Sequence, residues 1–258
     1  MGYSRPADCI KNRGVRPIPS IPKNNNMKSN TQQQRGGFTL VELLVVIVII
    51  VTLAGLSAPQ LIRMRKKGDQ VVAMNNGKSM ILALTDFNNE YGSFPDKETA
   101  KAVSENTGST LNLLGDTAND YFRQLIAAGV TKSEDPFYSK TPYATKRPDN
   151  NVKGSEALKA GEVGFGYIMN GTVAIGNDDP NRIIAVTPLL NASPKGEFDA
   201  GPLDKAALVY LDQSVKMLTI REDNKKVVIN GSKTLLDSGE GTIWGTDIKP
   251  VIKVPKKK

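Results

Sequence analysis

The segment Leu40–Ala58 is apolar along its whole length except for one carboxylate, Glu42. A helix of about 19 residues, rising about 1.5 Å per residue, nearly matches a hydrocarbon core about 30 Å thick. An ionised side chain inside such a helix is costly, rare and usually tied to function. The sequence therefore predicts a membrane-spanning helix in which Glu42 has a specific role.

Several ordinary interpretations leave Glu42 without a role. A secretory signal has an apolar core of about 7 to 15 residues before its cleavage site. Residues 56–58 (Leu-Ser-Ala) resemble such a site, but the core is longer and Pro59 follows it. A simple anchor gains nothing from the acid, and a Glu near a helix end can also extend to the membrane surface without consequence. A segment that is cut at Gly37 and then packs against its own copies does give the acid a function.

The run Arg35–Glu42, followed by the apolar segment and Pro59, resembles the type III signal of type IV pilins and of type II secretion pseudopilins. The resemblance implies that a membrane prepilin peptidase cuts between Gly37 and Phe38 and that Phe38 is then N-methylated. It further implies that the new Phe38 amine pairs with Glu42 of a neighbouring subunit during assembly. Opposite charges in a low-dielectric layer attract strongly enough to offset much of their desolvation cost.

Most of the positive charge of the chain lies before the predicted cut. Residues 1–37 hold seven of the 34 basic residues and one of the 26 acidic residues. The mature chain would keep 27 basic and 25 acidic residues, a net charge of +2, so the basic balance does not indicate a nucleic-acid-binding surface. Residues 1–26, rich in Pro, Asn and Arg, are predicted to be disordered, and Met27 is an alternative start that would give a compact leader.

Basic residues flank the apolar segment on both sides. Three precede it and four follow it, namely Lys23, Lys28 and Arg35, then Arg63, Arg65, Lys66 and Lys67. The positive-inside count is therefore close to a tie. The family signal decides the orientation instead. It implies a single-pass protein of the inner (cytoplasmic) membrane with its folded domain in the periplasm.

Helical periodicity continues beyond the apolar segment. Apolar and small residues spaced four and three apart form one stripe, made of Ala73, Gly77, Met80, Leu84, Phe87 and Tyr91. This spacing is typical of an amphipathic helix. One long helix is therefore predicted, with residues 38–59 in the membrane or filament core and residues 60–91 packed on a folded domain. Gly55 and Pro59 mark a predicted kink, and Gly92 ends the helix.

The remaining chain, residues 92–248, predicts one α+β domain. A second helix is expected over residues 118–128, and β-branched runs of strand length follow it. These runs are 163–168, 172–175, 182–187, 206–211, 215–220 and 226–229. The short link 212–214 joins two of them as a hairpin. We expect a long helix packed on a small antiparallel sheet, which is also the pilin-like fold that the resemblance implies. The lysine-rich segment 249–258 is predicted to form a mobile basic tail.

Cysteine usage bears on how the C-terminal region is held. Cys9 is the single cysteine, so the mature chain cannot form the disulfide that staples this region in many type IV pilins. In the related pseudopilins a calcium ion holds it, and calcium is therefore a candidate here. Asp178 and Asp179, together with residues 197–204, offer oxygen ligands that calcium prefers. Neither run has the spacing of a calcium loop, and solvated turns are the alternative.

Catalytic chemistry has little basis in the residues. The chain has no His, no cysteine after Cys9 and no Gly-rich phosphate loop. The adjacent acids Asp178 and Asp179 are ordinary turn residues. The basic tail lacks the interleaved aromatic residues that stack on nucleic-acid bases, and the single Trp244 is expected to be packed. We therefore expect neither an enzyme nor a nucleic-acid partner.

Two further stretches favour one branch of the family. Residues 89–95 resemble the region after the long helix of major pseudopilins, and residues 207–220 resemble a late hairpin of pseudopilin-like proteins. We expect a structural subunit of a type II secretion pseudopilus that polymerises in the periplasm to help drive protein export. Its expected partners are copies of itself, the prepilin peptidase, the inner-membrane assembly platform and minor pseudopilins. The alternatives are a type IV pilin for adhesion, motility or DNA uptake, and a membrane-anchored binding module that never polymerises.

Overall fold

The computed structural model describes residues 37–258. The disorder predicted for residues 1–26, the start at Met27 and all of the leader before Gly37 lie outside this range. The chain divides into two units, one ending at Ile50 and the other beginning at Val51.

Helix α1 spans Leu40–Tyr91 and so begins two residues after the predicted start. Every residue from 37 to 65 is exposed. Within residues 37–258, α1 is the one helix that is long and apolar enough to cross a membrane. The structure thus contains the apolar helix that the sequence predicts.

The later part of α1, in the second unit, buries the predicted stripe. Its members from Ala73 to Phe87 are buried, whereas Lys78 and Asp86 are exposed. Phe87 stacks on the half-buried Tyr91 with ring centroids 4.7 Å apart. The helical period of the sequence therefore correctly identified the face that packs on the domain.

Pro59 lies inside α1, and the helix continues across it. Because proline has no amide hydrogen, the carbonyl of Gly55 has no amide donor four residues on. One turn before Pro59, the Ser57 hydroxyl donates a hydrogen bond to the Leu53 carbonyl at 2.7 Å. The kink at Gly55 and Pro59 stays a prediction.

Three shorter helices belong to the folded domain. Helix α2 spans Lys97–Thr107, α3 spans Ala118–Ala127, and α4 is a single turn over Ala200–Leu203. The sequence predicted α3 but not α2. Asp96 caps α2 by accepting hydrogen bonds from the amides of Glu98 and Thr99, both at 2.9 Å.

A five-stranded antiparallel sheet forms the platform under α1. Its strands are β1 (Gly166–Asn170), β2 (Ile183–Thr187), β3 (Lys205–Tyr210), β4 (Val215–Thr219) and β7 (Pro250–Lys253), in the order β4-β3-β2-β1-β7. Strands β5 (Val228–Asn230) and β6 (Lys233–Thr234) pair separately. The predicted hairpin is confirmed as β3–β4, and the α+β class is confirmed with it.

The position of α1 on the sheet depends on a close approach at Gly77. A Cβ atom at this position would lie 3.1 Å from methyl groups of Val209 on β3 and Val215 on β4. Polar bonds secure the flanking turns of the helix. Lys66 pairs with Asp204 at 2.6 Å, Asp69 pairs with Lys140 at 2.7 Å, and the Asn76 amide donates to the Tyr138 carbonyl at 2.8 Å.

The prediction of a mobile basic tail over residues 249–258 is wrong. Strand β7 pairs with β1 along residues 250–253, and Ile252 is buried. The aliphatic part of Lys253 is buried as well, while its ammonium group reaches Asp116 at 2.8 Å. A long side chain can be buried in this way while its charge meets a partner near solvent, so the basic composition concealed a strand.

We expect the contact at Gly77 to be intolerant of a side chain. Gly77→Leu should lower the free energy of unfolding by about 1 to 3 kcal/mol, because added atoms must displace Val209 and Val215. Gly68→Leu is the matched control, since a Cβ atom at Gly68 meets nothing within 4 Å. That variant should be neutral or gain up to about 1 kcal/mol from helix propensity. Urea unfolding of the full chain in detergent, followed by Trp244 fluorescence, measures both, and equal effects would contradict the close packing.

A second test concerns β7. Ile252→Ala should destabilise the domain by about 2 to 5 kcal/mol, because Ile252 is buried. Val251→Ala, on the opposite face of the same strand, should cost under about 1 kcal/mol, since Val251 is 37% exposed. The same unfolding measurement separates them. If both variants unfold like the unmodified chain, the C-terminal residues are not part of the fold.

Candidate processing and assembly site

The start of α1 is a capping box formed by Thr39 and Glu42. The carboxylate oxygen Oε2 of Glu42 accepts hydrogen bonds from the Thr39 amide and hydroxyl, both at 2.9 Å. The Thr39 hydroxyl in turn accepts a longer bond from the Glu42 amide at 3.3 Å. Thr39 stands at the N-cap position and Glu42 three residues later, which is the spacing at which such reciprocal bonds form. This local chemistry explains why the helix begins at Leu40.

The two oxygens of the Glu42 carboxylate differ in their contacts. Both bonds from Thr39 end on Oε2. Within residues 37–258, Oε1 accepts no hydrogen bond. A carboxylate can accept several hydrogen bonds, so Oε1 is open to a further donor while the cap stays intact.

The predicted cleavage point lies immediately before this cap. Gly37 and Phe38 precede the helix and are exposed, and Phe38 keeps 76% of its surface accessible. A Cβ atom at Gly37 would meet nothing within 4 Å. The peptide bond between Gly37 and Phe38 is therefore in non-helical, accessible chain, which is the state that a peptidase requires.

The structure places Phe38 two residues before the first turn and Glu42 within it, and it adds Thr39 as the hydrogen-bond partner of Glu42. Sequence reasoning missed Thr39 because it searched for a partner to the charge and not for a helix cap. The signal was present, since Thr at 39 and Glu at 42 followed by an apolar run match the capping-box pattern.

The acids proposed for calcium have protein partners instead. Asp178 forms an ion pair with Arg182, whose hydrogen bond lowers the pKa of this carboxyl. Asp179 accepts bonds from the backbone amide and the side chain of Asn181, at 2.8 and 3.1 Å. In the 197–204 stretch, Asp204 pairs with Lys66. No group of three or more His, Cys, Asp or Glu side chains in residues 37–258 is arranged to hold a metal ion, and calcium stays a prediction.

Comparison with known proteins gives one match. Residues 33–58 match the family model described as the prokaryotic N-terminal methylation motif. No curated protein and no solved structure matches the chain. The match covers the predicted cleavage point, the capping box and the apolar segment. At its N-terminal end this chain is therefore similar to proteins of the type IV pilin and pseudopilin kind, whose role is structural.

Proposed function

We propose that this protein is a filament subunit that waits in the inner membrane and polymerises after its leader is removed. The observation that carries the proposal is the carboxylate of Glu42, which is bonded through Oε2 to Thr39 and has Oε1 open. The same acid can therefore start its own helix and accept a second, charged donor from another chain.

Cleavage changes the donor available at this end of the helix. In the uncut chain the nitrogen of Phe38 is a neutral amide. Hydrolysis of the Gly37–Phe38 bond turns it into an amine that is protonated near neutral pH. The Thr39 amide belongs to the next peptide bond and survives the cut, so the cap on Glu42 persists. The new cation of one chain can then meet the open oxygen of Glu42 in another.

The exposed apolar surface of α1 requires a cover. Leu40, Val51 and Leu56 expose 79%, 68% and 76% of their surface. A continuous apolar surface of this kind marks a membrane or protein interface. A bilayer covers it in the monomer and neighbouring helices cover it in a filament, so the same residues serve both states.

Among filament systems, we favour the type II secretion pseudopilus. The described chain contains no cysteine, and its C-terminal region is held without a disulfide. Strand β7 pairs with β1, and the indole of Trp244 donates to the Leu235 carbonyl at 2.6 Å from a buried position. This arrangement agrees with the pseudopilin resemblance of residues 89–95 better than with a disulfide-stapled pilin. Long surface fibres at native expression would instead favour a type IV pilin.

We expect the mature protein to begin at Phe38. Mass spectrometry of the protein from its native membrane should show an N-terminal peptide that starts with N-methylated Phe38. Gly37→Leu should block the cut by adding bulk beside the scissile bond, while leaving the fold intact because nothing lies within 4 Å of its Cβ position. A chain that keeps residues before 38, or begins at Pro59, would exclude this processing.

The cap and the charge of Glu42 can be separated by substitution. Glu42→Gln keeps an acceptor for Thr39 and removes the charge, whereas Thr39→Val removes the hydroxyl and keeps the charge. We expect Glu42→Gln to insert and be cleaved normally but to lower the yield of cross-linked filaments by at least tenfold. Thr39→Val should cost about 1 kcal/mol of helix stability and retain most assembly. Normal filaments with Glu42→Gln would contradict the assembly role of its charge, whereas the absence of filaments from the unmodified protein would support the non-polymerising binding module.

A further inference from the structure

The last turns of the exposed part of α1 carry a ring of unpaired cations. Within residues 37–258, the side chains of Arg63, Arg65 and Lys67 have neither an ion pair nor a hydrogen bond. All three residues are exposed. We call these three residues the cationic collar.

Asp69, two residues after Lys67, and Asp204, the partner of Lys66, both take part in ion pairs. Asp204 pairs with Lys66, and Asp69 pairs with Lys140. Lys66, which lies within the same run, is thus turned toward the folded domain. Within residues 37–258, no carboxylate therefore forms an ion pair with the three positive charges of the collar.

Helical geometry distributes the collar around the axis. At 100° per residue, Arg63 and Lys67 lie about 40° apart and Arg65 lies roughly opposite to them. A collar that surrounds a helix cannot be balanced by one flat protein surface. It is suited to a layer of anions through which the helix passes.

The collar lies at the height where such a layer exists. Arg63 is about 6 Å and Lys67 about 12 Å beyond Pro59 along the helix axis. The polar headgroup region extends about 5 to 8 Å beyond each side of the hydrocarbon core. Long Arg and Lys side chains reach back toward that region, so all three cations can meet phosphate groups.

We propose that the cationic collar binds the phosphate groups of anionic phospholipids in the leaflet next to the folded domain. The proposal rests on membrane insertion, which is part of the proposed function. It also gives a reason for basic residues on the translocated side, which the positive-inside tendency disfavours. A second copy at the same depth would instead bring collar against collar, since the exposed acids Asp86 and Glu90 lie about 30 to 40 Å further along the helix.

The test uses the full chain in detergent and phosphatidylglycerol or phosphatidylcholine with the same acyl chains as probes. Native mass spectrometry should show that the unmodified protein retains phosphatidylglycerol in preference to phosphatidylcholine. The triple variant Arg63→Gln, Arg65→Gln and Lys67→Gln should lose at least about tenfold in phosphatidylglycerol affinity, because one basic residue at an anionic surface contributes about fivefold. Its retention of phosphatidylcholine should not change.

A control variant removes the same charge elsewhere on the domain. Lys78, Lys101 and Lys132 are exposed, and changing all three to Gln should leave the lipid preference as it is. Raised salt should weaken lipid retention, whereas an excess of inorganic phosphate should not displace the lipid. Displacement by inorganic phosphate would overturn the lipid assignment, and so would an equal loss in the control variant.

Three further outcomes bear on this inference, and the first two distinguish it from the proposed function. If alkaline extraction releases the unmodified protein from native membranes, membrane insertion fails and the lipid assignment fails with it. If the protein stays embedded but retains both lipids equally, only the lipid assignment fails. If the triple variant keeps its lipid preference but loses cross-linking between copies, the collar contacts a second copy and the lipid assignment is overturned.

Discussion

The two hydrogen bonds from Thr39 to Glu42 Oε2 are the interaction on which the N-terminal end of this protein depends. An apolar helix that carries an acid must satisfy that acid, and it must also satisfy the amide groups of its first turn. The capping box provides hydrogen bonds for the acid and for the amides of Thr39 and Glu42 within four residues of one chain. It uses one carboxylate oxygen, so within residues 37–258 the other oxygen, Oε1, accepts no hydrogen bond.

The later part of α1, from Ala73 to Phe87, packs on the folded domain. The close approach at Gly77 places the helix backbone against β3 and β4, where methyl groups lie 3.1 Å from its Cβ position. The pairs Lys66–Asp204 and Asp69–Lys140 then fix the rotation of the helix about its axis. Within the second unit, these contacts join the later part of α1 to the sheet and its loops.

The elements that could be predicted from the sequence are those with a clear apolar periodicity or a short turn between two strand-length runs. The helical stripe from Ala73 to Phe87, helix α3 and the β3–β4 hairpin were found in this way. Helix α2 was missed because few of its residues are apolar, so it lacks a clear apolar stripe. The N-cap residue Asp96 is the local signal that indicates this helix. Strand β7 was missed because a lysine such as Lys253 is typical of exposed chain. Its partner Asp116 lies 137 positions earlier, so no local pattern indicates the pair. Thr39 was missed for the opposite reason. Its partner Glu42 lies only three residues away, whereas the prediction assigned Glu42 a partner in another subunit.

The two proposals together imply that leaving the bilayer exchanges partners at both ends of the apolar segment. At the first end, Glu42 gains an amine that compensates for the membrane environment it leaves. At the other end, the cationic collar loses lipid phosphates, and collars of neighbouring subunits approach one another. Like charges brought together in this way repel unless carboxylates replace the phosphates. Subunits that are staggered along the filament axis can supply them, because Asp86 and Glu90 of one helix then lie beside the collar of the next, whereas subunits at equal height cannot. The charge pattern of α1 therefore favours a staggered, helical arrangement over a flat side-by-side one.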